Sequence, residues 1–425
     1  MNHIPLHQLV ESHRSATAGR VRADNEHELQ IFNAHTTLQL DAPDNPGLLQ
    51  GLRPGDLVVV TGRREANRLI VDDLTRVYRP PDDIADPDAP PPLSRSGALR
   101  RRHRLYSTVH QFFRSRGFLE VHTRALTGAP GTDPHIEPVP AEFREEGADA
   151  SLRRYLHTSP ELKMKRLLAD GSGPIYQLAK VWRNGEVTTM HNPEFTLLEW
   201  YRPWCGVDAI IDDIEALVTE VLGDNTPRPV RPPIRRMTMQ QVVDAACGFD
   251  ILEALDADGL REQIRRHSLL GDRHTQGTGW DEMFFALTVT HIDPFLAKQG
   301  AVFVVDWPKP LAILARETPG DPRTAERFEL YVDGVELANG FGELTDADEQ
   351  LARFEADNRA RRDRGRPELP IPHHFIDTLR CGMPPAAGVA LGVDRLLVLA
   401  TEGAEKLGDV MPFAVVRTDD GLNWS

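Results

Sequence analysis

An α+β fold is predicted, with a small β-barrel leading into a larger mixed domain, and three observations predict it. Short β-rich runs crowd residues 1–78, a proline- and aspartate-dense segment follows at 79–95, and beyond it an amphipathic helix gives way to alternating strand pairs. The expected division is therefore 1–78, barrel; 79–95, linker; 96–425, main domain.

The barrel comes first. "TAGRVRA", "LQIFN", "TTLQLD", "DLVVVTGRR" and "RLIVDDLTRVY" are separated by Gly, Pro, Asn and Asp turns between Thr17 and Tyr78. Five short strands in so few residues close most economically as an OB-like barrel. Barrels of this type commonly bind nucleic acid, yet Asp and Glu outnumber Arg here and aromatic stacking platforms are lacking, so a docking or structural module is expected. "RPPDDIADPDAPPPLSR" cannot bury a core and reads as a linker. "GALRRRHRLYSTVHQFFRSRGFLEVHT" then places Leu105, Val109, Phe112 and Phe113 on one helical face, ends the helix at Gly117 and begins a short strand. "GPIYQLAKVWRN" and "NPEFTLLEWYR" alternate as strands, and the polar residues between them are too few for a helix, so the two form an antiparallel hairpin with a long loop. Alternation sets Glu199 and Tyr201 on one face of the second strand and Trp200 on the other.

Composition excludes several classes. Hydrophobic residues make up 40% and charged residues 27%, as in an ordinary globular protein. No apolar run approaches a membrane span, and "MNHIPLHQLVESHRS" lacks an apolar core with a cleavage site, so no membrane and no export signal are expected. Three scattered cysteines fit neither a zinc site nor a disulfide framework, and a cytoplasmic location follows as the simplest expectation. A net charge of −15 argues against a broad nucleic-acid surface, though not against a local basic groove.

The motif-bearing hairpin poses the functional question, because Arg183 and His191 sit beside Glu186, Glu194 and Glu199. Taken singly each is an ordinary solvated side chain; converging on one hairpin they need a ligand carrying both signs of charge. These residues carry a resemblance. "RNGE" with "HNPEFTLLEWY" resembles motif 2 of the class II aminoacyl-tRNA synthetases in its lysyl-specific form. "ERFELYVDGVELANGFGEL" resembles the segment holding metal-binding glutamates and the amino-acid pocket, "GVALGVDRLLVLA" resembles motif 3, and "TSPELKMKRLL" is similar to the loop that holds the substrate amino group. All four stand in the expected order between about residue 98 and the C-terminus.

The resemblance implies a catalytic domain built on an antiparallel sheet flanked by helices, and a first half-reaction in which an amino-acid carboxylate attacks ATP. Arg183 is then expected on the α-phosphate and substrate carboxylate, His191 and Arg395 on the β and γ phosphates, Phe195 on adenine, and Glu186 and Asn192 elsewhere on the nucleotide. Glu329 and Glu336, on one predicted strand with a turn at Asp333-Gly334, are expected to hold Mg²⁺. Glu199, Tyr201 and Glu343 match positions that bind a side-chain ammonium, Asn339 and Phe341 shape the pocket, and Ser159 and Glu161 take the other amino group. A site this acidic implies a diamine such as lysine. A homodimer is also implied.

Three departures qualify the match. Gly185 fills a position usually held by glutamate, with Glu186 following it; Arg124 stands where motif 1 usually has proline; and Ala390 replaces a glycine of lysyl-tRNA synthetases. With "TLLEWYRP" and "VELANGF", the alanine is closer to the paralogue family that activates (R)-β-lysine and transfers it to a lysine of elongation factor P. Two alternatives stand beside this expectation: charging of tRNA with α-lysine, and loading of a β-amino acid onto a carrier protein or small molecule. The barrel sits where lysyl-tRNA synthetases bind the anticodon, but without a basic surface tRNA binding is expected to be weakened or lost.

Overall fold

The computed structural model describes residues 6–9, 13–23, 28–32, 36–79, 93–418 apart from 225, 227, 229, 272–274 and 276, and 421–424. Positions 80–92, most of the expected linker, lie outside the described residues. The chain separates into two compact units, one comprising residues 1–104 with 409–412, the other 105–408 with 413–425.

In the first unit the strands Arg14–Ala23, Leu29–Phe32, Thr37–Asp41, Leu57–Glu65 and Arg68–Tyr78 close into a five-stranded barrel. Closure removes both sheet edges. Val21, Ile31, Leu38, Leu40, Val58, Val60, Leu69 and Val71 fill its interior. The alternating burial of Leu57–Glu65 is what a strand with one wet and one dry face requires. Asp56, fully buried at the barrel's rim, accepts hydrogen bonds from Arg79 Nε at 3.0 Å and Nη2 at 2.8 Å.

The second unit is organised by a nine-stranded sheet. Its main path runs Arg235–Thr238, Ala301–Pro308, Asp321–Val332, Val335–Gly342, Ala386–Gly392, Glu194–Pro203, Ile175–Trp182 and Leu119–Glu120, with Glu317–Thr318 paired to the third of these. All pairs are antiparallel except the two at the ends of the path. The motif-bearing hairpin forms as expected, with Ile175 opposite Tyr201 and Trp182 opposite Glu194. The segment carrying Glu329 and Glu336 differs from the single strand expected. It is two strands folded back at Asp333 (φ 50°) and Gly334 (φ 80°), a pair of positive φ values that suits a tight hairpin turn. A register shift between Leu330 and Tyr331 then pairs Glu336 with Tyr331 and Glu329 with Asn339.

Register also aligns a row of side chains across one face. Glu199 is paired with Ala390, Ala390 with Asn339, and Asn339 with Glu329. Paired residues in an antiparallel sheet project to the same side, so four neighbouring strands contribute to one surface. Glu199 and Trp200 are both fully buried, because both faces of this central strand are covered. The opposite face packs on the helix Leu93–Ser115: Phe113 stacks on Tyr176 at 4.6 Å and meets Trp200 at 5.2 Å and Phe118 at 5.0 Å between ring centroids. On the row's own side, the helices Glu161–Ala169, Ala347–Asp363 and His373–Cys381 contribute Met164, Leu168, Phe354, Phe375, Ile376 and Leu379 to a core that includes Tyr201.

The aromatic cluster fixes the back of the strand that carries Glu199. Phe113→Ala is therefore expected to cost about 3–5 kcal/mol of stability; urea unfolding followed by tryptophan fluorescence measures it, and a loss below about 1 kcal/mol would show that the cluster relaxes around the cavity.

Candidate active site

At one end of the row lies an acidic pocket. The helix Glu161–Ala169 presents Glu161 and Lys165 one turn apart on one face. Lys165 Nζ lies 2.6 Å from Glu161 Oε1 and is also paired with Glu343, just beyond the strand Val335–Gly342. Ser159 donates from Oγ to Glu199 Oε1 at 2.7 Å and accepts the Glu161 backbone N–H at 3.0 Å, while Tyr201 donates to Glu199 Oε2 at 3.0 Å. Glu199, Glu343 and Lys165 are fully buried and Glu161 nearly so. The structure thus brings Ser159, Glu161, Glu199, Tyr201 and Glu343 together.

Small residues make room among them. A Cβ on Gly388 would lie 2.1 Å from the Tyr201 ring and 2.8 Å from Glu343 Oε1. Ala390, two residues on, keeps the same floor shallow. Asn339 donates from Nδ2 to Glu329 Oε1 at 3.0 Å, leaving its own Oδ1 buried without a donor, and Glu343 Oε1 is likewise undonated. Phe341 borders this region and packs against Ala312, Ala315 and Ala325.

Desolvation dominates the electrostatics. Burial pushes the Glu199 carboxyl up to about 8, with the charge of Glu161 adding to the rise. Burial also pushes Glu343 up to about 7 despite the opposing Lys165 ammonium. Burial lowers Lys165, but the two glutamates outweigh this and hold it charged, above its ordinary value. Buried acceptors without donors, beside carboxylates that titrate near neutrality, describe a pocket that takes a cation.

The other end of the site is cationic. Arg183, at the exit of the strand Ile175–Trp182, has a buried Nε–H without an acceptor, lies 5.1 Å over the Phe195 ring and is only loosely paired with Glu186 at 3.9 Å. Gly185 adopts φ 83°, so glycine rather than glutamate suits this turn. Arg395, in the helix Val393–Leu399, donates to the Glu336 carbonyl at 2.7 Å and to His191 Nε2 at 2.7 Å. Burial first, then the Arg395 charge, lowers His191 to about 4, so the imidazole is neutral at pH 7 and accepts that bond; its Nδ1–H is left to donate to Thr188 Oγ at 2.9 Å. Asn192 stands apart from this group: it donates from Nδ2 to the Val415 carbonyl at 2.9 Å and accepts the Val415 N–H.

Glu329 and Glu336 were read as a metal pair. Among the described residues no group of three or more His, Cys, Asp or Glu side chains forms a metal cage. Glu329 is already engaged by Arg327 at 2.6 Å, Tyr331 at 2.5 Å and Asn339, whereas Glu336 is part-exposed and, among the described side chains, bonds Arg395 alone, Nη1 at 3.3 Å. Burial nonetheless pushes Glu329 up to about 7 against the Arg327 guanidinium, and Glu336 raises it further. Two mutually repelling hard-oxygen donors fit a Mg²⁺ ion, with Glu336 the more accessible of the two.

Lys165, Arg327 and Tyr331 have no role in the sequence reading, although one partner of each was legible from spacing. Glu161 and Lys165 stand at helical i, i+4 spacing, and Arg327, Glu329 and Tyr331 share a strand face by alternation.

An acidic pocket and a cationic, phosphate-suited end on one antiparallel sheet define a synthetase-type ligase site. The sequence model for tRNA synthetases class II (D, K and N) matches residues 94–417, and the chain belongs to this family. It is a ligase, similar to the elongation factor P--(R)-beta-lysine ligases of Erwinia tasmaniensis (44% identical), Yersinia enterocolitica (43%) and Salmonella arizonae (41%). Each match spans 319 residues, 75% of this chain and 95% of the relative.

A carboxyl held protonated by the fold makes stability pH-dependent. The folded Glu199 keeps a proton that the unfolded chain gives up above about 4.5, so its contribution is intact below that pH and lost as pH rises towards 8. Glu199→Gln should therefore gain on the wild type between pH 5 and 8.5, by roughly 4 kcal/mol at the upper end, while losing activity. Thermal unfolding at the two pH values checks the sign; a gap that narrows with pH would contradict it.

Proposed function

We propose that the chain activates a diamino acid, (R)-β-lysine, with ATP and transfers it to a lysine ε-amine of elongation factor P as a cytoplasmic enzyme. The acidic pocket carries this reading: three buried or nearly buried carboxylates have one resident cation, bonded to two of them, and the buried Asn339 Oδ1 and Glu343 Oε1 beside it lack donors. A ligand bearing ammonium groups satisfies them; a neutral amino acid leaves desolvated carboxylates unmatched. The names of the relatives supply the particular donor and acceptor.

In the first step a carboxylate oxygen of the amino acid bonds to the α-phosphorus of ATP, the bond to the bridging oxygen breaks, and pyrophosphate leaves. Arg183, with an unused donor, is suited to orient the carboxylate and stabilise charge building on the α-phosphate. The attacking carboxylate is already ionised, so no general base is needed. Arg395, held through a neutral His191, supplies fixed positive charge for the outer phosphates, and Phe195 offers a face to adenine. Glu336 and Glu329 would hold the Mg²⁺ that neutralises the β and γ phosphates. In the second step the acceptor nitrogen bonds to the acyl carbon, the acyl–oxygen bond breaks, AMP leaves with the electron pair, and the new amide sheds a proton to solvent.

Ala390 bears on which lysine isomer is used. It lies in register between Glu199 and Asn339, so its methyl occupies the pocket floor between two substrate-facing positions. An amino group displaced by one carbon is compatible with that methyl. The barrel is taken as an auxiliary module and the assembly as a homodimer.

Pyrophosphate exchange with α-lysine, (R)-β-lysine and (S)-β-lysine tests this reading. Exchange should favour (R)-β-lysine, and Ala390→Gly should relax the preference towards α-lysine by about tenfold, since one methyl contributes roughly 1–3 kcal/mol of discrimination. Exchange with α-lysine alone, or tRNA charging, would sink it. The amino-acid KM should also fall from pH 6 to 8.5 as Glu199 ionises; a flat profile would remove Glu199 from the pocket's cation-binding set.

A further inference from the structure

Lys165 is a buried ammonium to which none of the steps above gives a task. Its side chain is fully buried, yet it lies in the first turns of a short helix whose neighbours Met164 and Leu168 already supply the apolar face. Burying an ammonium is expensive unless acceptors surround it, and here the acceptors are Glu161 and Glu343, two of the three pocket carboxylates. Glu161 is tied through its backbone N–H to Ser159, which donates to Glu199, which also accepts from Tyr201. One connected network therefore links the lysine to every carboxylate of the pocket. The other cation acting on Glu343 is Arg316, itself paired with Glu326.

The charges can be counted. With Glu199 ionised by a bound cation, Glu161, Glu199 and Glu343 carry three negative charges, and Lys165 cancels one. Two remain. A diamino acid brings two ammonium groups, and its own carboxylate faces the cationic end. Without Lys165 the same pocket would hold three like charges out of water and would relieve them by taking up protons, weakening its hold on a cation.

We propose that Lys165 is a charge-setting and positioning residue, a built-in counter-cation that fixes Glu161 and Glu343 and leaves two uncompensated carboxylates, so that the pocket selects a diammonium amino acid. This rests on the reading of the pocket as a diamino-acid site. Lys165 does not touch the reacting atoms; it acts through the glutamates that bind the substrate.

Pyrophosphate exchange by the full chain, with (R)-β-lysine and α-lysine, tests it in wild type, Lys165→Met and the double variant Lys165→Met/Glu343→Gln. Lys165→Met should raise the amino-acid KM by about tenfold or more, leave the KM for ATP within about twofold, and move the pH profile of kcat/KM about one unit to the alkaline side as the remaining carboxylates hold protons more tightly. The double variant removes one charge of each sign and should regain at least part of the lost kcat/KM, with its profile returning towards the wild type. A merely structural lysine predicts the reverse, a double variant worse than the single and an unmoved pH profile. If Lys165→Met does not fold, the double variant should still fold and exchange; its failure to do so overturns the proposal. Wild-type exchange with an unmoved KM and profile in Lys165→Met overturns this inference alone, whereas no exchange by the wild type with either lysine overturns the functional reading and this inference with it.

Discussion

Removing carboxylates from water governs the arrangement of this site more than any other physical term. Glu199 and Glu343 are fully buried, and each is matched in a different way: Glu343 by the Lys165 ammonium, Glu199 by two hydroxyl donors and, below about pH 8, by a proton. Everything nearby serves that need. The strand holding Glu199 is fixed from behind by stacked aromatics, the strand beside it carries only glycine and alanine at the facing positions, and the helix above places Glu161 and Lys165 one turn apart. Packing at interior density leaves little freedom for a carboxylate to swing towards solvent.

The cationic end obeys the opposite constraint. Arg395 and His191 are close enough that both could not be charged without cost, and the conflict is resolved by keeping the imidazole neutral. His191 then serves as an acceptor that aims the guanidinium. Arg183 is held differently, by a ring face and a distant carboxylate, and retains a donor without an acceptor. A donor left unmatched in a protein interior is destabilising on its own and is consistent with an anionic ligand completing it.

Much of this was legible in the sequence where chemistry is local. The barrel strands announced themselves by alternation and turn residues, the helix that stops at Ser115, just before Gly117, by its apolar spacing, and the motif-bearing hairpin by two alternating runs around a polar loop. The acidic pocket residues were legible through their resemblance to known motifs, not through spacing, because Glu161, Glu199 and Glu343 are brought together by long-range strand pairing. The hairpin turn between Glu329 and Glu336 was marked by Asp333-Gly334, but reading the segment as one strand hid the register that sets Glu329 against Asn339. Arg327 and Tyr331 share a strand face with Glu329, but the metal role implied for that carboxylate leaves its other bonds unspecified, and only the structure supplies them. Lys165 was legible only as the helical neighbour of Glu161; its other partner, Glu343, is 178 positions away, and only the folded sheet supplies it.

The row Glu199, Ala390, Asn339, Glu329 joins the two ends into one device. Its outer members are carboxylates, Glu199 held by two hydroxyls and Glu329 by Arg327, and its inner members are a methyl and an amide. Because the four positions are fixed by strand register, none can shift along the sheet without flipping its strand's other side chains to the opposite face. A change in substrate length must therefore be met by side-chain size within the row. Ala390 is the position where that adjustment costs least, since its methyl side chain makes no hydrogen bond that a neighbour would lose.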